Sequence, residues 1–392
     1  MVTMMIANSV QAEEETDIFT PYVGAKYVYD SNFFRLQNEA AALDRLGTTD
    51  RAESYARLLA GAKFDLNLSR QRLRAQAEVN HTRFNEFDAL DFDGRDLGLA
   101  WDWVVGSRLS GTAGISESKE QGSFVNIQQP VNNLVTTRKK FVRGVIEVGA
   151  PWKIKLGAEN DEQRNSLASQ QTQNFSVDSF RAGLQYQTRK GSTLEFASQM
   201  SEGRYPNREI VGTAPVDNDY EQWDNGILAT WEPTGKTALS GALNYTQRRY
   251  DEVPQRDFSG VTGRLGGTWS VTGKSTLKLL LSRNIGVVEN TTASYSVNSG
   301  VALSGVYQAT SKLDLDLTLI HNRIEYTGDP GFVLTPGPAR EDVLDSLRIG
   351  ANYAVLRNTS LGVALQRGIN DSNRALSSYT YNSVTLNLRS EF

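Results

Sequence analysis

Along most of this chain apolar and polar side chains alternate one by one. Leu97, Leu99, Trp101 and Trp103 interleave with Asp96, Gly98, Ala100 and Asp102, and Leu313, Leu315, Leu317 and Leu319 with Asp314, Asp316 and Thr318. Leu73, Ala75, Ala77 and Val79 alternate with Arg74, Gln76, Glu78 and Asn80. Side chains two apart share a face of a β-strand, so each run has one oily and one charged face. No run is apolar on both faces, so the pattern offers no buried central sheet. A closed barrel with a wet bore needs only this alternation.

The runs predict eighteen strands. The first nine lie near 19–30, 53–67, 72–84, 91–105, 107–119, 135–148, 152–164, 174–188 and 192–203. The second nine lie near 220–233, 236–249, 257–271, 274–286, 292–308, 311–326, 341–355, 358–370 and 378–391. Sixteen strands result if a weak pair near 107–119 or 152–164 does not form. Connections alternate in length. Short turns fall at Ser69-Arg70-Gln71, Gly106, Ala150-Pro151, Arg189-Lys190-Gly191, Thr234-Gly235, Thr272-Gly273, Thr310-Ser311 and Arg357-Asn358. Long polar connections occupy 31–52, 120–134, 165–173, 204–219 and 327–340. Outer-membrane barrels keep short turns in the periplasm and longer loops outside. The expectation is an all-β, transmembrane, antiparallel up-and-down barrel of about 18 strands in the bacterial outer membrane.

A recurring turn adds depth information. Tyr186-Gln-Thr-Arg-Lys-Gly-Ser-Thr-Leu194 is echoed at Trp231, Trp269, Tyr307 and Tyr353, each aromatic preceding a short turn and a new alternating run. Amphipathic rings repeatedly placed at one depth mark a membrane–water boundary. A periplasmic aromatic girdle is therefore expected from Trp103, Trp152, Tyr186, Trp231, Trp269, Tyr307 and Tyr353. The final run, Tyr379 to Phe392, ends an amphipathic strand on an aromatic, and Phe392 reads as a signal for the outer-membrane assembly machinery.

Composition agrees without deciding. The 392 residues are 39% hydrophobic with a mean hydropathy of −0.42. No apolar stretch approaches the roughly 20 residues of a transmembrane helix, but strands escape that test because their two faces average out. The chain has no cysteine, hence no disulfide or thiolate metal site, and its net charge of −4 argues against nucleic-acid binding. Residues 1–12 read as the tail of a signal peptide: Met4-Met5-Ile6-Ala7 is an apolar remnant and Val10-Gln11-Ala12 a small-x-Ala cleavage site. Residues 13–392 then form a single barrel domain.

The segment Tyr27-Val-Tyr-Asp-Ser-Asn-Phe-Phe-Arg35 resembles the opening of the EpsL-like β-barrel porins that accompany exosortase-type polysaccharide gene clusters. The turn Trp231-Glu-Pro-Thr-Gly-Lys-Thr-Ala-Leu239 is similar to theirs. The resemblance implies passage of an exopolysaccharide across the outer membrane. Its motifs are structural, and they transfer no functional residue.

Candidate chemistry is sparse. His81 and His321 are the two histidines, and neither comes with a serine and an orienting carboxylate at sequence positions that define a hydrolytic triad. No His and carboxylate cluster has metal-ligand spacing. Thr-Gly-Lys-Ser at 272–275 lacks the upstream glycine and following helix of a phosphate loop. Asp314 and Asp316, or Asp91 and Asp93, share a face but lack a shaped cleft between them. No catalytic residue, cofactor or metal is expected. Parity turns Arg57, Arg74, Arg143, Lys155, Arg181, Arg264, Arg348 and Arg389 into the bore. Asp65, Glu78, Asp102, Glu147, Glu159, Glu195, Asp314 and Asp316 join them there. These side chains either pair across the wall and stiffen it, or form a ladder that guides an acidic polymer. The loops 204–219 and 327–340, the second containing Pro-Gly-Phe-Val-Leu-Thr-Pro-Gly-Pro, are candidates for a constriction. The expected function is a monomeric conduit for secreted polysaccharide, in contact with bilayer, lipopolysaccharide and periplasmic export proteins. A general diffusion porin and a barrel-anchored surface binding protein are the alternatives.

Overall fold

The computed structural model describes residues 18–211, 214–286, 295–327 and 338–392; the signal segment expected at residues 1–12 lies outside them. Antiparallel strands run in chain order around a closed wall. They are β1 (Phe19–Asp30), β2 (Glu53–Leu68), β3 (Gln71–Phe84), β4 (Phe92–Val105), β5 (Leu109–Gln121), β6 (Leu134–Gly149), β7 (Trp152–Asn165), β8 (Phe175–Gln187) and β9 (Thr193–Arg204). A small hairpin, β10 (Glu209–Val211) and β11 (Ala214–Val216), follows. The wall resumes with β12 (Tyr220–Thr234), β13 (Thr237–Tyr250), β14 (Phe258–Ser270), β15 (Ser275–Gly286), β16 (Tyr295–Gln308) and β17 (Leu313–Thr327). It finishes with β18 (Glu341–Ala354), β19 (Thr359–Ser372) and β20 (Tyr379–Glu391).

Eighteen of these strands form one sheet. It closes because β1 pairs with β2 on one side and β20 on the other, with Tyr22 opposite Glu391 and Asp30 opposite Ser383. The pairs β4–β5 and β6–β7 are fully formed, which removes the sixteen-strand alternative. Closure leaves no edge, so backbone donors and acceptors along the wall find partners in neighbouring strands, the β14–β15 ladder running from Gly263 to Ser270.

Register carries the period-two pattern from strand to strand. Leu99 faces Ala75 and Ile115, Leu317 faces Gly305 and Ile349, and Leu365 faces Ile349 and Val384. All three leucines lie on the outer face, 46%, 42% and 55% exposed. In water this would be a large apolar surface needing a partner; in a membrane, hydrocarbon is that partner. Trp152 and Tyr186 are register neighbours near the short-turn end, with rings 5.2 Å apart. Trp231, Trp269, Tyr307 and Tyr353 stand on the same outer face near that end, and Trp103 packs its indole over Gly111. Phe392 is there too, donating its N–H to the Pro21 carbonyl at 2.8 Å.

Above the apolar band the outer face becomes charged. Arg95 meets Glu117 at 2.6 Å, Arg138 bridges Glu117 and Glu162, and Glu162 also meets Arg164. The two histidines join this zone, His81 on Asp93 at 2.8 Å and His321 on Asp345 at 2.7 Å. Such exposed pairs add little stability each, so their meaning is positional: hydrocarbon ends below them.

The wall's two faces should respond differently to charge. Leu317→Arg is expected to destabilise the barrel by about 2–4 kcal/mol, the cost of an arginine on a barrel's lipid face near the midplane. Ser304→Arg, which register puts on the inner face, should cost far less. Urea-driven unfolding from lipid vesicles measures both, and equal penalties would refute the assignment of the two faces.

Candidate functional site: the inner wall and its mouth

The register that turns Leu99 outward turns its sequence neighbours inward. Arg57, Arg74, Arg143, Lys155, Arg181, Arg264, Arg348 and Arg389 all fall on the inner face. So do Asp65, Glu78, Asp102, Glu147, Glu159, Glu195, Asp314 and Asp316. The structure brings most of them together in pairs. Arg74 meets Asp102 at 2.7 Å, Arg143 meets Glu159 at 2.8 Å, and Arg348 meets Asp316 at 2.5 Å. Glu78 accepts from the Tyr22 hydroxyl at 2.9 Å.

Several partners were not singled out from sequence. Asp65 pairs with Arg72, Arg389 with Glu391, Glu147 with Lys153, and Arg57 with Glu120. Glu159 also takes Lys139, which lies beside Asp161. Parity alone would have found them, since each occupies an inward position of its strand. Arg264 and Asp314 differ: neither side chain makes an ion pair or hydrogen bond among the described residues. Charge spacing cannot distinguish these two from the rest, because pairing depends on reach across the wall.

Glu195 shows how that reach is made. Its carboxylate accepts from Arg181 on β8 at 2.6 Å and from Lys155 on β7 at 3.0 Å. To do so it lies across Gly183, where a Cβ would come within 2.6 Å of its Oε1. Any larger residue there would push the carboxylate off its two cations.

Two aromatic clusters narrow the long-loop end. Inward-facing Tyr55, Phe84 and Phe92 receive Phe33, Phe34 and Leu36 from the loop after β1, together with Leu90 and Phe124. Phe34 and Leu90 are both 0% exposed. The loop 31–52 is thus not merely a polar connection. It carries α1 (Glu39–Leu46), capped by the Asn38 side chain and ended by Gly47 at φ 74°, whose left-handed backbone suits glycine. Asn32 anchors its start, donating to the Leu36 carbonyl at 2.8 Å and the Thr380 carbonyl at 2.9 Å. Arg35 pairs with Asp30 at 2.8 Å and stacks 3.7 Å over Tyr381. A short helix, α2 (Phe124–Ile127), supplies Phe124, and Gln128 just beyond it donates to the Arg35 carbonyl at 2.8 Å.

The second cluster is built on the loop 204–219. Tyr205 and Val216 pack with Tyr220, Tyr250 and Val253 against Phe175 and Val177. Register places Tyr220, Tyr250, Phe175 and Val177 on the inner face, so this loop folds over the bore rather than away from it. Burial pushes the Tyr205 hydroxyl far above its ordinary range and raises the Asp219 carboxyl, which accepts the Tyr205 N–H at 2.6 Å. The other proposed constriction, 327–340, is described only at Thr327 and from 338 onward, and its apolar Pro/Gly run lies outside the described residues.

His81 and His321 face outward, onto Asp93 and Asp345, whereas two serines that a hydrolytic reading could pair with them, Ser116 and Ser282, face inward on the opposite side of the wall. The mouth clusters make a clear prediction. Phe34→Ala removes a fully buried ring and should cost about 3–5 kcal/mol of local packing. The expected result is faster proteolysis within 31–52 and a larger single-channel conductance; an unchanged protease pattern would exclude a packed loop at the mouth.

The family model described as "Putative beta-barrel porin 2" matches residues 230–392, from the end of β12 through β20. No curated protein matches. Among solved structures, the barrel is similar to OccK2 (OpdF) of Pseudomonas aeruginosa, at 11% identity and TM-score 0.55, covering 95% of this chain and 98% of that one. It is also similar to OccAB3 of Acinetobacter baumannii, at 8% identity and TM-score 0.52, covering 95% of this chain and 99% of the other. The outer membrane protein OpdK of P. aeruginosa gives 10% identity and TM-score 0.50, with 95% and 99% covered. At these identities the likeness is one of fold. A closed eighteen-strand wall, an apolar outer belt and a porin-family match over residues 230–392 make this chain a β-barrel of the bacterial outer membrane.

Proposed function

We propose that the barrel is a water-filled pore that carries an exopolysaccharide across the outer membrane. The observation behind this reading is the inner wall itself, which below the aromatic mouth carries paired charges, amides and hydroxyls. Such a surface exchanges hydrogen bonds with a hydrated polymer without holding it, because most of its charges are already neutralised locally. Eighteen strands enclose a bore wide enough for water unless loops fill it. The resemblance at Tyr27 to Arg35 and Trp231 to Leu239 supplies the polymer's class. In this reading the outer belt contacts lipid and lipopolysaccharide, Phe392 is the assembly signal, periplasmic export proteins dock below, and the barrel works as a monomer.

Diffusion of small solutes is the second reading. The two aromatic clusters that narrow the mouth favour it, since a tight entrance suits small molecules better than a chain. Planar-bilayer recordings and a genomic deletion separate the two. Loss of surface polysaccharide on deletion supports export; unchanged polysaccharide, with rapid small-solute uptake by reconstituted protein, supports diffusion.

Charge reversal tests the pore independently. Arg264→Glu alters an inward cation that has no ion pair among the described residues and should shift ion preference toward cations by about twofold or more at low salt. Arg348→Glu places a second anion against Asp316 and should shift it in the same direction. Selectivity unmoved by both changes would rule out a conducting bore lined by these residues.

A further inference from the structure

A cavity of about 240 Å³ is recessed into the inner wall between β8 and β15, bordered by Arg181, Gln199, Asp224, Asn244, Arg248 and Asn284. Register places all six on the inner face. We infer that this cavity is a subsite for one acidic sugar unit, a uronate-type residue of the polymer in transit. The inference rests on the polysaccharide-pore reading and names the chemistry of its substrate.

Charge is the first argument. Glu195 serves two cations, Lys155 and Arg181, so that triad keeps a surplus positive charge beside the cavity. Arg248 is buried, 4.1 Å over the Tyr220 ring, and donates to Gln222 Oε1 at 2.7 Å and to the Tyr250 hydroxyl at 3.3 Å. No carboxylate touches its guanidinium in the described residues. Asp224 is linked to it only through Gln222, whose amide donates to Asp224 Oδ2 at 2.6 Å. Thr246 occupies the other Asp224 oxygen. A buried guanidinium without a contacting anion is costly, and a carboxylate offers it two parallel hydrogen bonds.

Hydroxyl recognition is the second argument. Gln199, Asn244 and Asn284 border the same space, and each amide both donates and accepts. Neighbouring sugar hydroxyls likewise do both. The space admits a single ring and excludes a folded peptide. Its wall is held in advance by the Thr246 to Thr262 hydroxyl contact at 2.7 Å and the Gln222 relay, so little ordering is needed on binding.

Calorimetric titration of the full-length, detergent-solubilised barrel with trigalacturonate tests the site, with maltotriose as the neutral control. Binding of the uronate is expected to exceed that of maltotriose at least tenfold. Arg248→Gln should weaken it tenfold or more, and Asn284→Trp, which fills the cavity from a different strand, should abolish it. Heat-modifiable gel mobility verifies that each variant forms the barrel. Equal binding of both sugars, or uronate binding untouched in both folded variants, overturns the inference. A barrel that conducts ions but binds no uronate defeats the subsite alone. One that binds uronate but never conducts keeps the subsite and defeats the pore.

Discussion

Hydrocarbon offers no hydrogen bonds, so a spanning chain must satisfy every backbone N–H and C=O within itself. For strands the only complete answer is a sheet without edges, and the pairing of β1 with β20 provides it. Everything else follows from that closure. A closed sheet has an outside and an inside, and a period of two assigns each residue to one of them. Leucine, valine and aromatic side chains meet lipid, and arginine, carboxylate, amide and hydroxyl groups meet water.

The inner wall is electrically uneven around its circumference. From β1 to β9 it carries a dense set of ion pairs, among them Arg57 with Glu120, Arg74 with Asp102, and Glu195 with its two cations. From β14 to β19 the inward positions are filled largely by short side chains, including Ser282, Asn298, Ala302, Ser304 and Thr318. Arg264, Lys278, Asp314, the Arg348–Asp316 pair and the Arg340–Asp342 pair are the sparse charges on that side. A polymer in the bore would meet a polar, nearly neutral lane opposite a stiff ionic one. The cavity bordered by Arg181, Arg248 and Asn284 lies where the two sectors join.

The mouth shows how loops become part of a barrel. Several inward positions near the long-loop ends of the strands are aromatic, as at Tyr55, Phe84, Tyr220 and Tyr250. They would be poorly placed facing water, and loop residues such as Phe34 and Tyr205 cover them. Entropy lost in ordering these loops is offset by the apolar area they bury.

Alternation alone located the strands within a few residues, and alternating turn lengths oriented them, because both are local consequences of a two-faced strand. Trp231 and Tyr353 could be placed on the outer face near the short-turn end for the same reason. What sequence could not tell was which charges neutralise which. Arg57 reaches Glu120 three strands away, Glu195 needs the gap at Gly183, and Arg264 finds no ion pair among the described residues, all by virtue of register and curvature. Nor could it show that the loop 31–52 folds back onto Phe84 and Phe92, since its alternation is absent and its aromatic contacts lie far apart in the chain. Period two decides faces through nearest neighbours along the strand; partners across the bore are decided only when the wall closes and brings distant strands within reach.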